Sequence, residues 1–273
     1  MTKIIQISDP HIVPEGQLAY DRVDTAAALA DAVATVNRLL PQIGPVDMAI
    51  ITGDLTDFGT PGEYHRFRRI LEPLAIPYRA IPGNHDDREA MRAAFSDQDW
   101  MSQQGPVNWL VELEDFALVG LDTNVPGAPH GHLTDQSLTY LEGVMADLMP
   151  KPVIIGLHHP PFETGVQAMD IQNLRHSDPL RDILGAYAGE ARLICGHVHR
   201  NVVTRFGGAI CQIAPGVSHA VTLEQRRDAT NTLTMEPGAF MLHEWRNGIV
   251  SHSIPVGAFE GPYLFATTQQ STL

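Results

Sequence analysis

The sequence has few cysteines and few apolar runs, and each shortage excludes a class of protein. Its 273 residues include 2 cysteines, Cys195 and Cys211, so a disulfide-built fold is excluded, although a single bridge between them stays open. No apolar run approaches the roughly 20 residues that a membrane-spanning helix needs. Lys3 leads directly into a strand-like segment without the apolar core of a signal peptide. We therefore predict a cytoplasmic protein with no membrane partner.

Positive charge is also scarce. Lys and Arg total 18 against 32 Asp and Glu, which gives a formal net charge of −14. A field of that sign repels nucleic-acid backbones, so we predict no nucleic-acid polymer as a partner. The apolar fraction of 44% is ordinary for a globular protein with a large core, and histidine, with 13 copies, is the residue that stands out.

The order of predicted elements indicates an α/β fold. Short apolar strands alternate with amphipathic helices in the first part of the chain, and the pattern after Asn201 is mostly β. Thr60, Pro61 and Glu63 form a predicted capping box at the start of one helix. We predict layered sheets with helices outside, in one catalytic domain over residues 1–255 with a lid or insertion around 216–238, followed by a C-terminal tail over 256–273.

Five predicted strand ends finish in residue types that ligate metals. Loops at the carboxyl ends of strands in an open α/β sheet converge on one crevice, so groups far apart in sequence can meet there. Imidazole and carboxylate shells that share one carboxylate hold two divalent ions about 3.5–4 Å apart. Asp54, which follows a glycine, is the predicted shared ligand, and neutral Asn84 preserves the positive charge that attracts phosphate. The strand-end residues are Asp9 with His11, Asp54, Asn84 with His85, His158 with His159, and His197 with His199.

Each of these motifs taken alone also fits an ordinary turn. Asp-x-His, Gly-Asp and Gly-Asn-His-Asp are typical of turns with satisfied side chains. Gly-His-x-His is more specific, because two imidazoles that leave an apolar strand together have few packing roles. The ordered combination of all five favours a metal site, and the absence of cysteine from the set argues against a structural zinc site.

The ordered motifs resemble those of the calcineurin-like metallophosphoesterase superfamily. The resemblance rests on Asp9-Pro10-His11, Gly53-Asp54, Gly83-Asn84-His85-Asp86, His158 and Gly196-His197-Val198-His199. Softer matches at 158–161, 215–219 and 261–264 are similar to the class III cyclic-nucleotide phosphodiesterases and the related bacterial glycerophosphodiesterase. The resemblance implies a four-layer αββα sandwich, a C-terminal β part that forms a lid or oligomer contact, and a homo-oligomer.

The resemblance also implies a role for each site residue. His85 would bind the phosphate and protonate the leaving alkoxide, with Asp86 as the group that orients it. Asn84 and His219 would also contact substrate, His159 would pack behind the site, and the loop with His130 and His132 could edge the pocket. One metal would be held by Asp9, His11, Asp54 and His199, and the other by Asp54, Asn84, His158 and His197.

The predicted function is that of a binuclear metal-dependent phosphodiesterase. It would hydrolyse small phosphodiesters, either 3′,5′-cyclic nucleotides or glycerophosphodiesters, by attack of a metal-bound hydroxide. The mixed nitrogen and oxygen ligands suit Mn, Fe, Co or Zn, so the two divalent ions stay unidentified. A phosphomonoesterase of the same superfamily is the nearest alternative. A non-catalytic metal-binding scaffold is disfavoured, because scaffolding relatives lose ligands and every ligand type is present here.

Overall fold

Two mixed β-sheets face each other at the centre of the computed structural model, which describes residues 1–265. The strands of the first sheet are β1 (Lys3–Ile7), β2 (Met48–Thr52), β3 (Tyr78–Ile81), β14 (Ala239–Trp245) and β15 (Ile249–Pro255). The strands of the second are β4 (Trp109–Glu112), β5 (Ala117–Leu121), β7 (Val153–Leu157), β9 (Ala191–Cys195), β10 (Val202–Phe206) and β11 (Ala209–Ile213). Their orders are β15-β14-β1-β2-β3 and β10-β11-β9-β7-β5-β4.

Helices cover the outer faces of the two sheets, as the four-layer prediction requires. They are α1 (Thr25–Ile43), α2 (Pro61–Leu71), α3 (Arg88–Ala94), α4 (Asp135–Leu148), α5 (Gln167–Asp170) and α6 (Asp178–Ala186). The predicted capping box is confirmed: the Thr60 amide donates to the Glu63 carboxylate at 2.9 Å while the Thr60 hydroxyl accepts from the Glu63 amide. Among the described residues, none of the helices is long and apolar enough to cross a membrane.

The mostly β character of the chain after Asn201 is confirmed, and this part divides between the sheets. The β10–β11 hairpin extends the second sheet beside β9, whereas β14 and β15 extend the first sheet beside β1. The segment predicted as a lid carries a small hairpin of β12 (Ala220–Val221) and β13 (Leu233–Thr234), and a second small pair joins β6 (Gly131–His132) to β8 (Leu174–Arg175).

Apolar side chains fill the space between the sheets. A Cβ at Gly156 of β7 would lie 2.5 Å from Cδ1 of Ile50, so the glycine lets the first sheet approach the second. Cys195 and Cys211 instead lie on the outer side under α6, buried and free, with their sulfurs 3.8 Å apart.

The C-terminal tail leaves the body after β15. Its described part, 256–265, has no helix or strand, and Phe259 and Tyr263 are exposed. The 261–264 motif therefore lies away from the regular elements of the fold. The rest of the predicted tail, 266–273, lies outside the described residues.

Candidate metal centre

The predicted ligands meet at the carboxyl ends of the central parallel strands. Loops after β1, β2 and β3 of the first sheet face loops after β7 and β9 of the second, and each loop contributes one or two ligand side chains. The convergence expected from strand topology is therefore observed. One group has all its ligand atoms within 4.8 Å of one another: Asp9, His11, Asp54 and His199.

In this first group, imidazole nitrogens and carboxylate oxygens point at a common centre. Nε2 of His11 lies 3.1 Å from Nε2 of His199 and 3.4 Å from Oδ2 of Asp54. Nε2 of His199 lies 3.5 Å from Oδ1 of Asp9. Burial lowers the pKa of His199 well below its ordinary value, which favours the neutral ring. Two imidazole nitrogens beside two carboxylates form a donor set that fits a divalent cation.

A second group shares Asp54 with the first. Oδ2 of Asp54 lies 3.3 Å from Nε2 of His158. Oδ1 of Asn84 lies 3.2 Å from that same nitrogen and 3.0 Å from Nδ1 of His197. Nδ1 of His158 donates to the Thr52 carbonyl at 2.8 Å, which leaves Nε2 to ligate. Asp54 thus stands between two sets of ligands, as predicted for a shared carboxylate.

The surroundings of Asp54 favour its ionised form. Burial opposes its ionisation, but nearby imidazoles, led by His158, outweigh that effect and hold the pKa of Asp54 well below its usual value. Asp54 is therefore a carboxylate at neutral pH, as a shared ligand must be.

The backbone at the ligands is held in an uncommon conformation. Nine non-glycine residues among those described have positive φ, and five of them are predicted ligands, which is a strong concentration in one place. Such left-handed conformations cost energy for L-residues and cluster at functional sites. The five are Asp9 (55°), His11 (44°), Asp54 (49°), His197 (75°) and His199 (53°).

Ligand side chains approach the backbone so closely at two motif positions that only glycine fits there. A Cβ at Gly83 would lie 2.2 Å from Oδ1 of Asp54, and a Cβ at Gly53 would lie 2.3 Å from Nδ1 of His158. Gly53 also has a φ of +89°. Any larger residue at either place would displace a ligand.

His85 lies at the rim of the centre and is partly exposed. Its amide donates to Oδ1 of Asp54 at 2.9 Å, and its Nδ1 donates to the backbone oxygen of Asp57 at 2.9 Å. The carboxylate of Asp57 also lies 3.0 Å from Nδ1 of His11. The sequence reasoning missed Asp57, although it follows Asp54 by three residues in the same loop, a spacing that could have indicated it.

The prediction that Asp86 orients His85 is wrong. The Asp86 carboxylate turns into the loop that follows β2, where its two oxygens accept from backbone amides and hydroxyls. Because these donors already use both oxygens, Asp86 holds the loop around Asp54 and leaves the orientation of His85 to Asp57. The donors are the amides of Leu55 (3.1 Å), Thr56 (3.2 Å) and Gly83 (2.8 Å) and the hydroxyls of Thr56 (3.0 Å) and Tyr64 (2.9 Å).

Two further histidines surround the ligands. His159 packs behind the centre as predicted, with its Nδ1 2.8 Å from Oγ1 of Thr123 and its ring centroid 4.7 Å from that of His197. His219 lies in front, 4.6 Å between ring centroids from His199, and burial lowers the pKa of His219 to about 4. Neither His130 nor His132 lines the cavity described next.

A cavity of about 210 Å³ opens directly onto the ligands. The predicted lid hairpin forms one wall with Asn231 and Leu233, and α5 contributes Met169, with Gln172 just after the helix. Nδ2 of Asn231 lies 3.6 Å from Sδ of Met169, so the two walls touch. The cavity floor is formed by His11, Asp54, Asn84, His197 and His199, and His85, His219 and Tyr20 stand at its side.

Comparison with known proteins agrees with this geometry. A protein of Arcobacter nitrofigilis named "Probable glycerophosphodiester phosphodiesterase GpdQ" is 37% identical over 265 residues, which cover 96% of both chains. The 3′,5′-cyclic adenosine monophosphate phosphodiesterase CpdA of Pseudomonas aeruginosa is 33% identical and covers 79% of both. A dimetal phosphatase from Danio rerio shares the fold with a TM-score of 0.62 at 15% identity, covering 94% of this chain and 99% of that one. Residues 2–201 match the calcineurin-like phosphoesterase family, and the chain belongs to that family.

Proposed function

We propose that the protein hydrolyses small phosphodiesters at this centre. The observation that carries the proposal is the position of Asp54, whose Oδ2 lies 3.4 Å from Nε2 of His11 and 3.3 Å from Nε2 of His158. One carboxylate between two sets of nitrogen and oxygen donors is the arrangement of a binuclear phosphoryl-transfer site. We assign one ion to Asp9, His11, Asp54 and His199, and the other to Asp54, Asn84, His158 and His197.

Two divalent ions in such a site supply a water that ionises near neutral pH and neutralise the charge of the phosphate. The residues of the chain do the rest. His11 and His158 are held in their ligating tautomers, because Asp57 and the Thr52 carbonyl accept from their Nδ1 atoms. Nδ1 of His85 donates to the backbone oxygen of Asp57, so Nε2 is the nitrogen that faces the substrate. As the bond between phosphorus and the leaving oxygen breaks, Nε2 gives its proton to that oxygen, which leaves as an alcohol.

The polar side chains of the cavity walls support an acyclic diester with a polyol arm. Gln172, Asn231 and Thr232 line these walls, and amide and hydroxyl groups hydrogen-bond to alcohols. We therefore propose glycerophosphodiesters as the preferred substrates, with His219 beside the phosphate. The 37% identity to a relative named as a glycerophosphodiester phosphodiesterase supports this choice. Cyclic nucleotides are the second candidate, supported by the 33% identity to a cyclic AMP phosphodiesterase.

The experiment is a substrate panel with purified protein and defined Mn, Co or Zn. Bis(p-nitrophenyl) phosphate, p-nitrophenyl phosphate, glycerophosphoethanolamine and cyclic AMP would be compared by kcat/KM. We expect diesters to exceed the monoester and glycerophosphoethanolamine to exceed cyclic AMP. Asp54→Ala and Asn84→Ala should abolish activity, whereas exposed Asp182→Ala on α6 should not. Full activity in both ligand variants would refute the assignment, and a preference for the monoester would favour a phosphomonoesterase.

We further propose that residues 1–255 form the catalytic domain with the 216–238 hairpin segment as its lid, and that 256–273 is a separate tail. Exposed Phe259 and Tyr263 support a homo-oligomer in which the tail contacts a neighbouring copy. The adjacent free thiols of Cys195 and Cys211 support a reducing cytoplasmic location.

A further inference from the structure

A chain of buried hydrogen bonds runs from the metal centre into the space between the sheets. Its first member is Thr52, whose carbonyl accepts from Nδ1 of His158 at 2.8 Å. Nε2 of Gln6 donates to Oγ1 of Thr52 at 3.0 Å and to the carbonyl of Cys195, also at 3.0 Å. Oε1 of Gln6 lies 3.0 Å from Nε2 of His243. Gln6, Thr52 and His243 are all fully buried.

The Cys195 carbonyl fixes the direction of the hydrogen bonds in the chain. A carbonyl can only accept, so the NH₂ of Gln6 faces Cys195 and Thr52, and Oε1 of Gln6 faces His243. His243 therefore carries its proton on Nε2 and donates to Oε1 of Gln6. Its Nδ1 accepts from Oγ of Ser251 at 2.7 Å, and Ser251 accepts from Nη1 of Arg192 at 2.6 Å.

Gln6 joins the two strands that lead to the central ligands. Thr52 ends β2 and stands two residues before Asp54, and Cys195 ends β9 and stands two residues before His197. One side chain on β1 therefore connects a strand of the first sheet to a strand of the second, directly below the ligands.

Stability alone does not explain a chain of buried hydrogen bonds between the two sheets. The rows around Gln6 are apolar: Ile50 is its direct partner on β2, and Met241 is its partner on β14. Replacing all the members of a buried polar network together by apolar side chains of the same size is often neutral or stabilising. Fully satisfied buried networks do, however, fix one arrangement of the elements that they join. Ligands of a binuclear site need such fixed spacing.

We infer that Gln6 is a positioning residue for the metal centre, and that its amide sets the spacing between the ends of β2 and β9 and therefore between Asp54 and His197. His243 holds the oxygen end of that amide in place. The inference rests on the proposed binuclear site, whose metal binding in the wild-type protein is tested separately.

The test measures metal affinity together with stability. Mn²⁺ would be titrated into metal-free protein by calorimetry, with electron paramagnetic resonance to detect coupled Mn²⁺ pairs. Gln6→Met, which keeps the volume and removes the donors, should raise the Kd of at least one Mn²⁺ by about 10–100-fold, the usual effect of losing a group that orients ligands. Ile50→Val is the matched control, because it lies beside Gln6 on the same face and destabilises without touching the chain.

A second pair of variants keeps the inference testable if Gln6→Met does not fold. Thr52→Val removes the hydroxyl that accepts from Gln6 and donates to Oγ of Ser8 at 2.8 Å. It keeps the carbonyl that holds His158, and it should weaken Mn²⁺ binding. Thr52→Ser keeps both groups and should bind Mn²⁺ as the wild type does. Wild-type Mn²⁺ affinity and coupling in Thr52→Val, or losses in Gln6→Met no larger than in Ile50→Val, would overturn the inference. Failure of the wild-type protein to bind two Mn²⁺ ions would instead overturn the proposed function.

Discussion

Asp57 and His85 are joined by a hydrogen bond of 2.9 Å from Nδ1 of the imidazole to the backbone oxygen of Asp57. The Asp57 carboxylate lies 3.5 Å from the same nitrogen and 3.0 Å from Nδ1 of His11. One residue therefore orients both a proposed ligand and the proposed acid. With those proposed roles, this double contact would link Asp57 to both metal binding and leaving-group protonation.

Asp57→Asn should separate these two roles. Asparagine keeps an oxygen that accepts from His11 and the backbone oxygen that accepts from His85, but it removes the carboxylate charge that lies 3.5 Å from Nδ1 of His85. We expect kcat to fall about 10–100-fold, with Mn²⁺ affinity close to that of the wild type. Steady-state kinetics on a glycerophosphodiester and calorimetric titration of Mn²⁺ check this. Asp57→Ala, which removes the carboxylate from both histidines and keeps the backbone oxygen, should also lose Mn²⁺ affinity. Unchanged kcat in the asparagine variant would show that the charge has no role.

His85→Ala should have an effect that depends on the leaving group. Nitrophenolate leaves with little need of a proton, whereas an aliphatic alkoxide needs one, and general acid catalysis contributes about 10²–10⁴-fold. We expect a loss in this range for glycerophosphoethanolamine and a clearly smaller one for bis(p-nitrophenyl) phosphate. The comparison of kcat for the two substrates is the measurement. Equal losses would mean that His85 only binds the phosphate.

The ligand set could be predicted from the sequence because it depends on strand order. Each ligand follows an apolar strand, and parallel strands of one layered fold end at one edge, so the meeting of Asp54 with His158 needs no side-chain detail. The partner of His85 depends on such detail. Asp86 is adjacent in sequence, but the turn at Gly83 directs its carboxylate toward backbone amides, while Asp57 reaches His85 from the loop after β2. Sequence proximity gave the wrong partner because backbone direction in a turn decides where a side chain points.

The internal network has no sequence pattern at all. Gln6 and His243 lie 237 residues apart, and each lies in a strand that is mostly apolar. Periodicity assigns such residues to a face of a strand but does not say which polar groups share that face. The burial of His243 and its contact with Gln6 therefore could not be predicted from the sequence.

Asp86→Ala should act on stability first. Two of the three amides that lose their acceptor belong to Leu55 and Thr56, directly after Asp54. Buried donors left without partners cost about 1–3 kcal/mol each, so we expect the free energy of unfolding to fall by at least about 3 kcal/mol. Urea unfolding of the metal-free protein measures this. The ratio of kcat for a substrate with a good leaving group to kcat for one with a poor leaving group should equal that of the wild type. A changed ratio would indicate that Asp86 takes part in proton transfer.

His243 should make stability depend on pH in the acid range. Burial, followed by the charge of Arg192 and by His252, lowers the pKa of His243 to about 3 in the folded protein, against about 6.5 in an unfolded chain. The unfolded chain therefore takes up a proton as the pH falls below 6.5 while the folded protein does not. The contribution of neutral His243 to the free energy of unfolding is complete above pH 6.5 and is lost progressively toward pH 3. The loss amounts to about 2 kcal/mol at pH 5.

His243→Gln removes this titration and isolates its contribution from those of the other buried histidines. Urea unfolding of metal-free wild-type and variant protein at pH 7.5 and pH 5 gives four free energies. Between the two pH values the wild type should lose about 2 kcal/mol more than the variant, because only the wild type carries an imidazole that must stay neutral between the sheets. Equal losses in both proteins would mean that His243 accepts a proton in the folded state, and that burial does not hold it neutral.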